Sequence, residues 1–126
     1  MEKEWSRHWK SSKQVRKQRK YQCNAPLHIV RKMMSARLAK ELKQKYGKRS
    51  FPVRTGDTVK VMVGKFRGKS GKIEDVSLVY KRVFVEGMNI TKKDGNKIKV
   101  QIHPSNLMIT ELNLDDKLRK KALERK

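Results

Sequence analysis

Two hydrophobic periods divide this chain. From Val59 onward the period is two: Val59, Val61 and Val63 alternate with Lys60 and Met62, and Ile98, Val100 and Ile102 alternate with Lys99 and Gln101. Between these runs, Ile73 and Val76 follow Gly71 and a further pair, Val83 and Val85, flanks Phe84; Met108 and Ile109 close the series. A period of two puts successive side chains on opposite faces of a strand. Turn signals separate the runs: Gly64 to Gly71, Ser77 to Lys81, and Asp94-Gly95-Asn96, a two-residue hairpin signal. Five short strands in so compact a stretch predict a small, strongly bent antiparallel barrel.

On either side the pattern turns helical. Ser11 or Ser12 is placed to cap a helix through Lys13–Lys20, which Asn24-Ala25-Pro26 ends. Positive charge surrounds that helix, leaving it no apolar face for a protein core. Leu38, Leu42 and Tyr46 recur at i, i+4 and i+8, predicting a second helix from about Ser35 to Tyr46 with Gly47 as a left-handed C-cap. Asp115 or Asp116 caps a third helix from Lys117 to Arg125. A boundary is expected near Ser50–Pro52, where a Gly47-Lys48-Arg49-Ser50 turn meets Pro52. The chain thus reads as a basic arm (1–50), a β body (51–112) and a basic C-terminal helix (113–126).

Charge narrows the function. The 126 residues hold 34 Lys and Arg against 12 Asp and Glu, a net charge of +22. Residues 1–50 alone carry net +13, from 16 basic and 3 acidic residues. A compact body so charged repels itself unless a polyanion neutralises it, and RNA, DNA and anionic membrane are the candidates. With 36% hydrophobic residues any core is small, and much of the chain is expected to stay unordered until a partner neutralises it. No apolar run approaches the ~20 residues of a membrane span. The first nine residues lack the apolar stretch of a signal peptide, so a cytoplasmic protein with no membrane partner is expected. Cys23 is the only cysteine, and His8, His28 and His103 lie far apart. Neither a disulfide nor a metal site is expected, and no Ser, His and Asp set or carboxylate pair suggests catalysis, a cofactor or a small-molecule substrate.

The most informative stretch is Val53–Ser77. A Gly56-Asp57 turn launches a strand, and a loop with Gly64, Gly68 and Gly71 reverses the chain into the next. Glycines allow positive φ and close approach to a phosphate backbone. Lys65, Arg67, Lys69 and Lys72 surround them, so several cations share one turn. A solvated barrel turn is the plain alternative, but four cations in a +22 chain favour nucleic acid. A strand rather than a helix follows, which excludes a P-loop.

These residues resemble a KOW motif, found in SH3-like barrels of ribosomal proteins and of transcription elongation factors. The flanks are more specific. Lys13-Gln14-x-Arg16-Lys17-Gln18-Arg19-Lys20, Ala25-Pro26-Leu27-His28, Ala39-Lys40-Glu41-Leu42 and Arg49-Ser50-x-Pro52-Val53-Arg54-x-Gly56-Asp57 all resemble one family. So do Ile102-His103-Pro104-Ser105-Asn106-Leu107 and Lys120-Lys121-Ala122-Leu123-Glu124-Arg125. The family is large-subunit ribosomal protein twenty-four in its archaeal form, whose eukaryotic counterpart is numbered twenty-six. The archaeal branch is the better match because no further basic tail follows Lys126. The resemblance implies a non-enzymatic structural constituent of the large subunit that binds the 5′ region of its ribosomal RNA and nucleates assembly. It also implies a place near the outer end of the peptide exit tunnel, with ribosomal proteins as neighbours and the Ile90–Ile98 hairpin toward the tunnel mouth. An elongation factor contacting RNA polymerase, or a nucleic-acid-compacting protein, is the alternative.

The residues expected to bind RNA are Lys13, Arg16, Lys17, Arg19, Lys20, Arg31, Lys32, Lys48, Arg49, Lys65, Arg67, Lys69 and Lys72, with Gly64, Gly68 and Gly71 shaping the loop. Arginines suit bidentate phosphate contacts, and lysines supply less directional charge. Trp5 and Trp9 stand four apart as base-stacking platforms, as a patch for another ribosomal protein, or within an arm ordered only in the particle. His103, extended before Pro104, either bonds a phosphate or supports its turn. Cys23 is a small buried residue or an idle thiol.

Overall fold

The computed structural model describes residues 5, 6, 8, 9 and 12–125. Seven strands and four helices follow in the order α1 (Val15–Cys23), α2 (Leu27–Met33), β1 (Ser35–Leu38), α3 (Lys40–Tyr46), β2 (Ser50–Pro52), β3 (Thr58–Val61), β4 (Ser70–Ser77), β5 (Arg82–Thr91), β6 (Lys97–Ile102), β7 (Leu107–Glu111) and α4 (Lys117–Glu124). A 3-10 turn, Pro104–Asn106, joins β6 to β7. The strands form one sheet in the order β2-β1-β7-β3-β4-β5-β6, antiparallel throughout except for the parallel pair β1 and β7.

All five expected strands are present, as β3 to β7, although β3 ends at Val61 and leaves Val63 exposed in the turn that follows. The sheet bends at β4, whose Ser70–Lys72 pairs with β3 while Ile73–Ser77 turns to β5, with a register shift between Ile73 and Asp75. A second shift on β5, between Phe84 and Asn89, separates the packed part of the β5–β6 pair from its tip. Among the described residues no pairing joins the two edges, β2 and β6, so the strand order is that of an open, bent sheet. The protein is mainly β with helical additions. Among the described residues its sheet has seven strands rather than the five the pattern gave.

The two additional strands correct the reading of the N-terminal half. The helix expected from Ser35 to Tyr46 is a strand followed by a helix. Ala36 and Leu38 are buried on one side of β1, and the backbone is taken up by neighbours: Leu38 N–H donates to Arg49 O at 3.1 Å and Ala39 N–H to Ile109 O at 2.9 Å. Only Leu42 and Tyr46 of the supposed stripe lie on α3, where both are half-buried. Gly47 does end α3 in the left-handed conformation, with φ +65°. The boundary expected near Ser50–Pro52 falls within β2, which pairs with β1.

The helix expected over Lys13–Lys20 starts at Val15 and runs on to Cys23. Ser12 does not cap it, since its hydroxyl accepts from Gln14 N–H at 3.3 Å, ahead of the helix; Ser11 lies outside the described residues. No residue of α1 is buried, as its charge requires. The second helix of this region, α2, buries Val30. Ala25, Val30, Met34, Ala36 and Leu38 all enter the core beside Val59, Val61, Ile73, Val83, Leu107 and Ile109. The hairpin loop between β5 and β6 is Lys92–Asn96, five residues closed by Gly95 N–H to Lys92 O and Lys92 N–H to Asn96 O, and not a two-residue turn.

The C-terminal helix runs from Lys117 to Glu124, capped by Asp116, whose Oδ1 accepts from Leu118 N–H at 2.8 Å. It buries Leu123 and Arg119. Arg119 makes a two-pronged ion pair with Asp57, Nη1 to Oδ1 and Nη2 to Oδ2 both at 2.6 Å. The rest of both groups is satisfied: Asp57 accepts from the backbone N–H groups of Arg54 and Asn113, and Arg119 donates to the carbonyls of Asn113 and Pro52. Buried charges persist when paired and hydrogen-bonded in this way. The pair fastens α4 to the turn that launches β3.

Candidate nucleic-acid interface

The turn between β3 and β4 is built around Phe66, which is buried beneath it. Gly68 N–H donates to Val61 O at 2.8 Å and Val61 N–H to Lys69 O at 2.9 Å, closing the turn on the strand that enters it. Arg67 N–H to Gly64 O and Lys69 N–H to Phe66 O tighten its tip. Lys65, Arg67 and Lys69 are thereby held outward and exposed, and Lys72 is exposed on β4. The Lys69 ammonium lies 5.4 Å from the centre of the Phe66 ring.

The three glycines of this stretch serve two different needs. Gly64 and Gly68 have φ of +97° and +86°, where side chains are strained. Gly71 has no positive φ. A Cβ there would lie 2.7 Å from Glu86 O and 3.0 Å from Val85 Cγ1, so Gly71 lets β4 and β5 approach. The close approach is to the protein's own backbone.

The other expected cations fall into separate groups. Lys13 precedes α1, while Arg16, Lys17, Arg19 and Lys20 lie along it, all exposed and with no acidic residue in its first turn. The far end of α1 is tied to the β4–β5 turn, where Lys81 Nζ donates to Gln22 O at 2.8 Å. Arg31 and Lys32 lie exposed in the last turn of α2. Arg49 is exposed between α3 and β2. Its neighbour Lys48 is half-buried and donates to Ala122 O at 2.5 Å, so it helps close the end of α4.

Aromatic and polar residues that the sequence left open now have places. Trp5 and Trp9 both pack on Tyr21, with ring centroids 4.8 and 5.2 Å away, and Trp5 Nε1–H donates to Tyr21 O at 2.9 Å. They are half-buried against α1. His103 supports its turn: Nδ1 lies 2.8 Å from Ser105 Oγ and accepts from Ser105 N–H at 3.3 Å. Burial, followed by the nearby Arg82 and Lys81 charges, pushes the His103 pKa below its ordinary 6.5. Cys23 is exposed rather than buried. Among the described residues no cluster of His, Cys, Asp and Glu could hold a metal ion, and no helix is long and apolar enough to cross a membrane.

The Asp57–Arg119 pair escaped the sequence reading. Its signal was present in outline: Arg119 and Leu123 stand four apart on α4, and Asp57 is one of only 12 carboxylates among 34 cations. Nothing in the spacing links two residues 62 positions apart.

A surface of several cationic groups on a small β body fits many nucleic-acid-binding proteins, so comparison decides the family. The family of the eukaryotic ribosomal proteins L26 and their archaeal counterparts, the L24 proteins, matches residues 12–126. The chain belongs to this family. It is 51% identical to a protein named large ribosomal subunit protein uL24 from Methanosphaera stadtmanae, over 91% of this chain and 98% of that one. It is also 51% identical to the protein of the same name from Korarchaeum cryptofilum, over 87% of this chain and 84% of that one. The family is structural, and the chain is a non-enzymatic ribosomal protein with archaeal relatives. The elongation-factor and compacting-protein readings are set aside.

Proposed function

We propose that this protein is a structural constituent of the large ribosomal subunit in the cytoplasm, binding the 5′ region of the large-subunit RNA and nucleating assembly around it. The observation that carries the RNA reading is the set of exposed cations on three backbone settings: helix α1, the end of α2, and the β3–β4 turn. Each is held by main-chain geometry that does not depend on the cations themselves. Phosphate contacts from these groups fix register, and recognition follows RNA shape, because side chains cannot read the deep major groove of A-form helices. Lys13, Arg16, Lys17, Arg19 and Lys20 form the extension; Lys65, Arg67, Lys69 and Lys72 anchor the body; Arg31, Lys32 and Arg49 lie on the elements joining them. Lys48 stands beside Arg49 and also donates to Ala122 O of α4.

The bent part of the sheet, β3 to β7, acts in this reading as an SH3-like barrel that sets the body's orientation on folded RNA. The β5–β6 hairpin is exposed from Glu86 to Lys99 apart from Met88, and supports a place at the outer end of the exit tunnel, beside other ribosomal proteins. The test is binding to separate transcripts of the 5′ and 3′ regions of the large-subunit RNA. Tight binding confined to the 5′ transcript is expected, and equal affinity for both would overturn the regional assignment.

A further inference from the structure

A cleft of about 550 Å³ opens between α2, β2 and α4, away from the β3–β4 turn. Its floor is mostly apolar, made by Phe51, Pro52, Val53 and Ala122, with the Arg119 guanidinium 5.5 Å and the Lys48 ammonium 6.0 Å from the centre of the Phe51 ring. Two carboxylates lie in or behind it, and both are already neutralised. Asp116 is paired with Arg54 at 2.5 Å, and Asp57 is paired with Arg119. Arg31 and Lys32, which also line the cleft, are exposed and have no carboxylate partner among the described residues. The cleft therefore joins a mostly apolar floor to two uncompensated cations at its rim.

That pairing is the chemistry of one nucleotide, a flat base and an anionic phosphate. Pockets for small organic groups have this volume and a mostly apolar lining with few convergent polar groups. Proteins that read single-stranded RNA take up splayed bases in such places. The walls are preorganised, since the Asp57–Arg119 pair fixes α4 against β2 and Lys48 holds the α4 end at Ala122 O.

We infer that the cleft between α2, β2 and α4 receives a single unpaired nucleotide of the bound RNA, its base on Phe51 and Val53 and its phosphate between Arg31 and Lys32. The inference rests on the RNA-binding reading above and adds to it a base-dependent contact. An acidic peptide has the right charge, but a nucleotide matches charge and flat apolar surface within one unit.

The test is an NMR titration of the full-length labelled protein with adenosine and uridine 5′-monophosphates, and separately with inorganic phosphate and ribose 5-phosphate. The nucleotides are expected to move the Val53, Leu118 and Ala122 amides saturably, and the two base-free probes to bind there about tenfold or more weakly. Arg31→Glu with Lys32→Glu, both at exposed positions, is expected to weaken the nucleotide about tenfold or more. Ala122→Phe fills the cleft and is expected to abolish the shifts; if it fails to fold, the charge-reversed variant carries the test. Equal affinity of inorganic phosphate and nucleotide would overturn the inference, as would nucleotide shifts confined to residues outside the cleft. So would an acidic aromatic peptide binding there more tightly than either nucleotide. A protein that binds ribosomal RNA with steep salt dependence yet leaves the cleft unshifted refutes only the cleft, whereas absence of RNA binding refutes the reading beneath it.

Discussion

At the scale of single residues, the loop glycines and the buried ion pair are the positions where substitution separates fold from binding. Gly71→Val sets a branched side chain against Glu86 O and Val85, so it should lower the melting temperature. Gly68→Ala meets no neighbour but keeps a φ of +86°, a local strain of about 1–3 kcal/mol. Thermal melts of both variants check this, and wild-type stability in Gly71→Val would contradict the close β4–β5 approach. Removing Asp57 strands a buried guanidinium, and Asp57→Ala should cost about 3–5 kcal/mol in urea unfolding. Pairing Asp57→Leu with Arg119→Met should recover part of that loss. Recovery stays incomplete because the Arg54 and Asn113 N–H groups lose their acceptor. His103 carries a pH dependence of definite sign. Its folded pKa lies below the ordinary 6.5, so its contribution is present above that value and is lost as pH falls through the folded pKa. His103→Asn, which keeps a cap for Ser105 N–H, should flatten this part of the stability profile in melts taken on either side of pH ~6.5.

At the scale of elements, the strands of the body were legible because turn residues bound five short apolar runs, three of which (from Val59, Val83 and Ile98) alternate. Helix α4 was legible from its aspartate cap, and Gly47 from the stripe before it. Strand β1 was not. Its four residues hold only two buried positions, and Leu38 happens to stand at helical spacing from Leu42 and Tyr46, so a local period of 3.6 hid one of two. Its neighbours β2 and β7 supply the hydrogen bonds that decide the matter, and these are invisible in a short window. That the chain is rich in cations was legible, because charge is a property of composition, but the bond from Lys48 to the α4 carbonyl of Ala122 was not. The same facts revise where an arm ends. Deleting residues 1–24 removes α1 and Trp5, which packs at the edge of the core, but leaves Val30, Met34 and Ala36 in it, so the thermal transition should fall only slightly. Deleting residues 1–34 removes Val30 and Met34 and should lower it clearly. Paired melts of the two truncations check the division, and equal stability would mean that α2 does not support the sheet.

At the scale of the whole molecule, the proposed reading makes phosphate neutralisation by a chain of net charge +22 the main source of binding free energy. The sheet, its bend at β4 and the α4 clasp hold the cationic groups in fixed relation to their own elements. Removing α1 therefore takes away charge without disturbing the β3–β4 turn. The most direct measurement is the affinity for the 5′-region RNA transcript as a function of salt, for the full chain and for the chain lacking residues 1–24. With about six to ten phosphates engaged, affinity should fall by a few orders of magnitude between ~50 and ~200 mM salt. The truncated chain should bind more weakly and with a shallower slope. A nearly flat salt dependence, or a truncated chain with the full slope, would contradict the electrostatic account.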